Sequence, residues 1–477
     1  MDVLRCIPPG KAIDLGELLT KPKELTMIPT TRRTFLKTSA AASAFPLFNI
    51  LPGYGNEPKE KLNFAIIGCT QQGGGIGKGA IGSGMVNVVA LCDVEPSRTA
   101  KFKQQFPDAK VYDDFRKMFD EMGDKIDACT AGVPDHAHFP IAMRAIKEGV
   151  AVYVEKPLAH TFEECQLLIE AEKKYKAVCQ MGNQGHSGSQ RMQFKTWVEE
   201  GIIKNVRKVD ACMNKGRRWH PWGNVKSFPA AEPMPEGMNW DVWAGTAPKH
   251  NYSKRFDGGN WRGWYDYGNG AFGDWGPHTL DSIHRFLKLG MPHEVRADKL
   301  EGPNKFIYPM ATTIAFEFES RGEGFPAMSI NWHDGVKNFP KRPCGLEEDR
   351  KIPACGKVIY SDDLTFMGGT HSSALRIIPE DKMREMGPDL PKVPRGDTNL
   401  SHMRNFLLAA MGEEECNSKF AVSGPLSQMF ALGCIAQRLG GTLKFDAEKQ
   451  EITNNKVANA LLKGHPPRKG WEEYYKV

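Results

Sequence analysis

Leu62-Asn63-Phe64-Ala65-Ile66-Ile67-Gly68-Cys69-Thr70-Gln71-Gln72-Gly73 opens as a strand and closes as a turn, and the rest of the first domain follows from it. The apolar run reaches Gly68 and passes into a glycine-rich loop through Gly84, after which a second apolar run, Val86 to Leu91, ends at Asp93. These runs are apolar on both faces, the pattern of strands in a parallel sheet covered by helices. The rhythm then continues with a helix near Phe115 to Gly123, a strand Ala128 to Val133, a helix Phe139 to Glu148 and a strand Ala151 to Val154. Alternating β and α segments predict an α/β domain built on a parallel sheet.

Strand, glycine turn, helix, strand is the opening of a Rossmann dinucleotide-binding domain. In such a turn the backbone bends sharply and comes close to a pyrophosphate, while the next helix supplies N–H groups and the positive end of its dipole. The spacing here is Gly68-x-Thr70-x-x-Gly73, with Thr70 where the fingerprint carries a second glycine. Its Cβ displaces the pyrophosphate slightly outward, or Gly74, Gly75 and Gly77 reshape the loop. Asp93, at the end of the second strand, is placed to hydrogen-bond ribose hydroxyls and repel a 2′-phosphate, which favours NAD over NADP. The alternative for Asp93 is capping of the turn in Asp93-Val94-Glu95-Pro96-Ser97-Arg98. Arg98 either covers the adenine face or reaches a phosphate, and the second outcome weakens the preference for NAD.

The 477 residues suffice for two or three domains, and 40% hydrophobic with 25% charged residues is an ordinary globular composition. A net charge of +6, spread along the chain, gives no stripe for nucleic acid. The eleven cysteines contain no C-x-x-C pair, so buried free thiols are expected in place of a zinc ribbon or redox motif. Thr31-Arg32-Arg33-Thr34-Phe35-Leu36-Lys37, followed by a small and apolar run to Leu51, resembles a twin-arginine export signal. That run is too short for a stable span, which needs about 20 residues. Residues 1–60 are therefore expected to be export signal and linker, and the mature protein periplasmic or otherwise exported, with no stable membrane span.

Val154-Glu155-Lys156-Pro157-Leu158 follows an apolar strand, so its charged pair emerges at the carboxyl edge, where open α/β sheets bind ligands. With Val133-Pro134-Asp135-His136-Ala137-His138, Met181-Gly182-Asn183-Gln184-Gly185-His186 and the closing His402-Met403-Arg404-Asn405-Phe406-Leu407, it resembles the glucose-fructose oxidoreductase/inositol dehydrogenase (Gfo/Idh/MocA) family. The resemblance implies a Rossmann domain over 61–182 and, over 183–477, a substrate-binding and oligomerisation α+β domain with an open, largely antiparallel sheet and C-terminal helices. It implies that Lys156 lies beside the nicotinamide and the reacting hydroxyl, that Glu155 contacts the cofactor, and that Pro134, His138 and Asn183 shape the nicotinamide pocket. A lysine in a partly dry cleft can relay a proton.

Seven of the ten tryptophans lie between Trp219 and Trp275. Aromatic rings with scattered Arg and Asp suit the C–H faces and hydroxyl edges of sugars, although such residues also fill cores and subunit interfaces. Gly273-Asp274-Trp275-Gly276-Pro277-His278-Thr279-Leu280-Asp281 is predicted to open a helix with Pro277 in its first turn. Asp274 and His278 are four apart and share one side of that helix. The family resemblance assigns this pair to substrate binding and proton transfer, with Asp274 the carboxylate neighbour that orients His278. His186, Arg262, Trp264 and Asp266 are candidate substrate contacts. Zinc is the competing chemistry, and no H-E-x-x-H or cysteine cluster supports it, so no metal is expected.

These residues together predict an NAD(P)-dependent oxidoreductase, NAD favoured over NADP, moving a hydride to or from a hydroxyl-bearing carbon of a sugar or sugar derivative, with the cofactor retained. An NAD-assisted glycosidase or lyase, acting by transient oxidation and elimination, is the first alternative, and a noncatalytic sugar-binding protein of the same fold the second. A homodimer or tetramer is implied by the resemblance.

Overall fold

The computed structural model describes residues 60–216, 222–393 and 402–477, except the side chains of residues 189 and 190. The arginine-pair motif, the apolar run after it, the linker up to residue 59 and Trp219 lie outside the described residues.

Two sheets organise the chain. The first contains β1 (Leu62–Ile67), β2 (Val86–Cys92), β3 (Lys110–Tyr112), β4 (Ala128–Ala131), β5 (Ala151–Val154) and β6 (Cys179–Met181), in the order β3-β2-β1-β4-β5-β6. Every pairing in it is parallel. All four residues of β4 and of β5 are buried, as strands covered on both faces must be. The strand order reverses between β1 and β4, and their carboxyl ends leave the crevice where such sheets bind ligands.

The segment expected as a loop through Gly84 is a helix, α1 (Gln71–Gly82). Glycine is a poor helix former, but packing reverses that preference here. Cβ atoms on Gly73 and Gly77 would meet Gly132 O at 2.4 Å and the Ile66 side chain at 3.1 Å, so only a bare helix face can lie this close to the sheet. A later crossover helix, α2 (Asp135–Lys147), also begins earlier than expected, directly after Pro134. His136 and His138 thus enter its buried first turn.

The second sheet has nine strands: β7 (Val206–Met213), β8 (Glu294–Glu301), β9 (Ala311–Phe318), β10 (Met328–Asp334), β11 (Cys355–Ser361), β12 (Thr365–Gly368), β13 (Arg376–Ile378), β14 (Thr442–Asp446) and β15 (Glu451–Ile452). Their order is β13-β12-β11-β7-β10-β9-β8-β14-β15, with β7 and β10 parallel and the other neighbours antiparallel. In β10, Met328, Ile330, Trp332 and Asp334 are buried and alternate with half-buried Ser329, Asn331 and His333, the period of a sheet covered on one face.

Three further helices join the sheets: α3 (Phe162–Tyr175), α4 (Gly270–Phe286) and α5 (Phe420–Leu439). Phe272 of α4 stacks on Trp332 of β10 and Phe430 of α5. A Cβ on Gly424 of α5 would fall 2.5 Å from Ile169 of α3, so that helix pair is also in close contact. Because α4 begins at Gly270, Pro277 lies inside it and not in its first turn. Every described cysteine except Cys344 is buried, and all are free. Among the described residues no helix is long and apolar enough to cross a membrane.

Candidate active site

A cavity of about 650 Å³ runs from the carboxyl ends of β1, β2, β4 and β5 to the first turns of α4. Gly68 opens it with φ +84°, and a Cβ there would lie 2.3 Å from Gly132 O. A Cβ on Gly73 would meet Gly68 O and Gly132 O, both at 2.4 Å, so this contact demands glycine. Thr70 stands at the N-cap of α1 in extended conformation, where its Cβ is accommodated, and its side chain caps none of the helix N–H groups. The uncapped first turn is suited to an anion.

Asp93 accepts hydrogen bonds from the Cys69 N–H at 3.0 Å and the Glu95 N–H at 3.2 Å, so it caps its own turn and also ties down the glycine turn. It lines the cavity, and burial raises its carboxyl above the usual range. Arg98 pairs with Glu95 at 2.9 Å and with Asp257 at 3.1 Å. Two carboxylates thus meet its charge, which fits a ribose lacking a phosphate.

Glu155 is buried beyond β5, and burial raises its carboxyl. Its Oε1 accepts the side-chain amides of Gln72 at 3.0 Å and Gln184 at 3.1 Å. Gly182 makes room, since a Cβ there would fall 2.9 Å from that oxygen. Lys156 Nζ donates to the Asp274 carbonyl at 2.9 Å and to its Oδ1 at 3.0 Å. Arg262 donates to Asp135 at 3.1 Å, with its Nε 3.8 Å from Asp274 Oδ1. Asp274 and His278 both face the cavity from α4. The Asp274 carboxylate meets Lys156 and Arg262, while His278 Nδ1 is buried without a hydrogen-bond partner. Burial first, and then the Lys156 charge, push the His278 imidazole well below its ordinary range.

The cavity gathers Gly68, Thr70, Gly73, Asp93, Arg98, Pro134, Glu155, Lys156, Arg262, Asp274 and His278 of the sequence candidates. Five others lie elsewhere. His138 sits behind the wall, its ring nitrogens 2.7 Å from Pro157 O and 2.9 Å from Val133 O. Asn183 donates to Asp281 at 3.0 Å, and His186 is fully buried 2.7 Å from Asp281, so neither side chain lines the cavity. Trp264 is core: it is fully buried, with its indole N–H donating to Arg255 O at 2.9 Å. Asp266 faces a separate cavity of about 70 Å³. Burial works against its charge, but hydrogen bonds from His250 and His465 hold its carboxyl below the usual range.

Asp135, Gln72, Gln184 and His371, which line the cavity or bond residues that do, were not anticipated as site residues. Asp135 stands inside a quoted motif and could have been found there. Gln184 likewise stands inside a quoted motif, Gln72 carries no signal beyond its position beside Gly73, and His371 lies in an unmarked loop.

A parallel sheet with a glycine-lined crevice, and a second sheet whose helix presents a carboxylate and an imidazole to that crevice, make the architecture of a two-domain NAD-binding oxidoreductase. Residues 62–183 match the model of an oxidoreductase family with an NAD-binding Rossmann fold, and residues 187–305 match that family's C-terminal alpha/beta domain. The chain belongs to the Gfo/Idh/MocA oxidoreductase family. An inositol 2-dehydrogenase/D-chiro-inositol 3-dehydrogenase of Lactiplantibacillus plantarum is 32% identical over 127 residues, 26% of this chain and 36% of that protein. A glycosyl hydrolase family 109 protein of Shewanella pealeana is 26% identical over 213 residues, 39% of this chain and 47% of that protein. The chain thus spans about a third to a half of the length of these curated relatives. Among solved structures, the WlbA dehydrogenase of Bordetella pertussis, in complex with NADH and UDP-GlcNAcA, matches with a TM-score of 0.55 at 15% identity, covering 81% of this chain and 98% of that one. The aldose-aldose oxidoreductase of Caulobacter crescentus matches at 0.53 and 16%, covering 81% and 100%. At these identities the likeness is one of fold.

Proposed function

We propose that the protein transfers a hydride between NAD and a hydroxyl-bearing carbon of a sugar or sugar derivative, and that the dinucleotide stays bound between turnovers. The observation that carries this reading is the meeting of Lys156, Asp274 and His278 on one wall of the cavity that Gly68, Asp93 and Glu155 also line. Asp93 and the first turn of α1 would hold the dinucleotide, which when bound supplies the hydride acceptor or donor. Lys156 Nζ, held by Asp274, orients the substrate hydroxyl, and the His278 ring takes its proton. The surrounding burial limits the access of water to both groups.

The similarity to a glycosyl hydrolase family 109 protein favours a second reading of the same site. Oxidation of a sugar hydroxyl to a ketone acidifies the neighbouring C–H. A base removes that proton, the glycosidic oxygen leaves with its electron pair, water adds to the double bond, and return of the hydride restores the alcohol. Such a cycle is redox-neutral and suits an exported protein without a free NAD pool. Export in the folded state is inferred from Thr31 to Lys37, and a homo-oligomer from the family resemblance.

Purified protein incubated with p-nitrophenyl glycosides and no added cofactor separates the readings. Many turnovers support the glycosidase, and a stop after one supports the simple dehydrogenase. Protein that neither carries nor binds a nicotinamide dinucleotide, read by mass and absorbance, refutes both.

A further inference from the structure

Two imidazoles share the end of the cavity at α4. The rings of His278 and His371 stack with centroids 3.9 Å apart and planes 19° apart, and Trp275 stands edge-on to His371 at 6.0 Å. His371 comes from the connection between β12 and β13, outside both segments that match the family. Its backbone is unusual: His371 and Ser372 have φ of +54° and +53°, a region that costs a residue with a Cβ about 1 kcal/mol or more.

The surroundings hold this conformation from several sides. The His371 N–H donates to the His278 carbonyl at 2.7 Å. Ser372 Oγ lies 3.2 Å from Ser282 Oγ, one turn along α4 from His278. Buried Lys357 of β11 donates its Nζ to Gly369 O at 3.0 Å. Gly185 leaves out a Cβ that would lie 2.9 Å from the His371 carbonyl carbon.

We propose that His371 is a positioning residue whose ring, stacked on His278, fixes the plane of that imidazole and screens it from water, so that His278 serves as the proton acceptor. This rests on the reading of His278 given above. It follows from what is seen at His278: no hydrogen bond orients its Nδ1, and its face lies against the His371 ring. The stack is the face-to-face contact on that ring, and Trp275 stands edge-on to it at 6.2 Å. The charged groups around the pair work the same way. Lys156, Arg262 and Asp274 act on His278, while Lys156, Lys357 and Lys215 act on His371, and burial with these cations holds both rings below the ordinary histidine range.

The test combines two variants with two readouts. In substrate-free protein as purified, labelled at histidine, NMR titration of the ring protons reads His278 directly. His371→Ala is expected to move that titration up toward the ordinary histidine range and, with p-nitrophenyl glycosides or with NAD plus free sugars, to lower kcat about tenfold to a hundredfold. The acid limb of the kcat profile moves up in parallel. His371→Phe, which restores a flat ring without a polar atom, is expected to return titration and kcat close to wild type. Dinucleotide binding and the thermal midpoint show that both variants are folded.

An unchanged His278 titration in His371→Ala overturns the proposal. So does failure of His371→Phe to restore kcat while dinucleotide binding is intact, because His371 then acts through a polar atom on the substrate. The titration needs no substrate, so it tests the stack even if no sugar is turned over. Loss of dinucleotide binding in the wild type removes the functional reading and leaves the titration result standing.

Discussion

Lys156 and Asp281 are both held by partners across the sheet boundary, yet their substitution has opposite consequences. Lys156 faces the cavity, and its ammonium is tied to Asp274. Lys156→Met is expected to reduce turnover by about 10²- to 10⁴-fold, the range for lost proton handling, while dinucleotide binding stays largely intact. Steady-state kinetics and a binding titration on the same sample check this. Asp281 lies behind the cavity, where it takes hydrogen bonds from Asn183 and His186. Asp281→Ala leaves those buried groups without their acceptor and is expected to cost roughly 2–3 kcal/mol in urea unfolding. Gly68, Asp93, Lys156 and His278 are legible in sequence because each stands in a short motif at a strand end or on a helix turn. Asp281 stands in the quoted motif too, but its role is not legible, because a buried acid on a helix means nothing until its partners from 98 and 95 positions away are known. His186 was misplaced for the same reason, since the motif shows a histidine near the site and not which way it turns.

At the scale of elements, α1 carries six glycines in twelve residues, and its face toward the sheet needs them while its outer face does not. Cβ atoms on Gly75 and Gly79 would meet nothing within 4 Å. Gly75→Ala and Gly79→Ala are each expected to stabilise the fold by about 0.5–1 kcal/mol, because alanine loses less backbone entropy in a helix. Gly73→Ala, whose Cβ would press on Gly132 O, is expected to destabilise it. Chemical denaturation of the three variants gives the signs. The strands on either side of α1 are legible because burial on both faces writes itself as continuous apolar runs. The helix is not legible, because its glycines report contact distances and local propensity argues for a loop.

β11 carries a second element-scale effect. Burial lowers Lys357 to about 8, below the ordinary lysine value. The unfolded chain therefore binds more protons than the native one between about pH 8 and the ordinary lysine range, and this group makes stability rise with pH across that window. Lys357→Met is expected to flatten that rise relative to wild type, seen in thermal midpoints measured across the window.

On the scale of the whole molecule, the segment after α5 returns to the first sheet. Trp471 is fully buried against Phe115, with the Arg116 guanidinium 4.4 Å from its ring, and Arg468 bonds Asp241 at 2.8 Å. Trp471→Ala is expected to cost about 3–5 kcal/mol, in the range for a buried tryptophan, and to show in the same unfolding curves. Such a return is invisible in sequence, since periodicity describes a segment and not its destination. The two-sheet plan is visible, because βα alternation gives way to long aromatic loops and half-buried strands.

The bridge from Arg98 to Asp257 joins the helical turn after β2 to the far domain, at one end of a long cleft that Asp93 also lines. A clasp in that place would act on residence time, since a dinucleotide beneath it would leave only once two opposite charges part. Arg98→Ala should therefore hasten escape of the dinucleotide in stopped-flow chase experiments, and added salt should speed escape from the wild type but not from the variant.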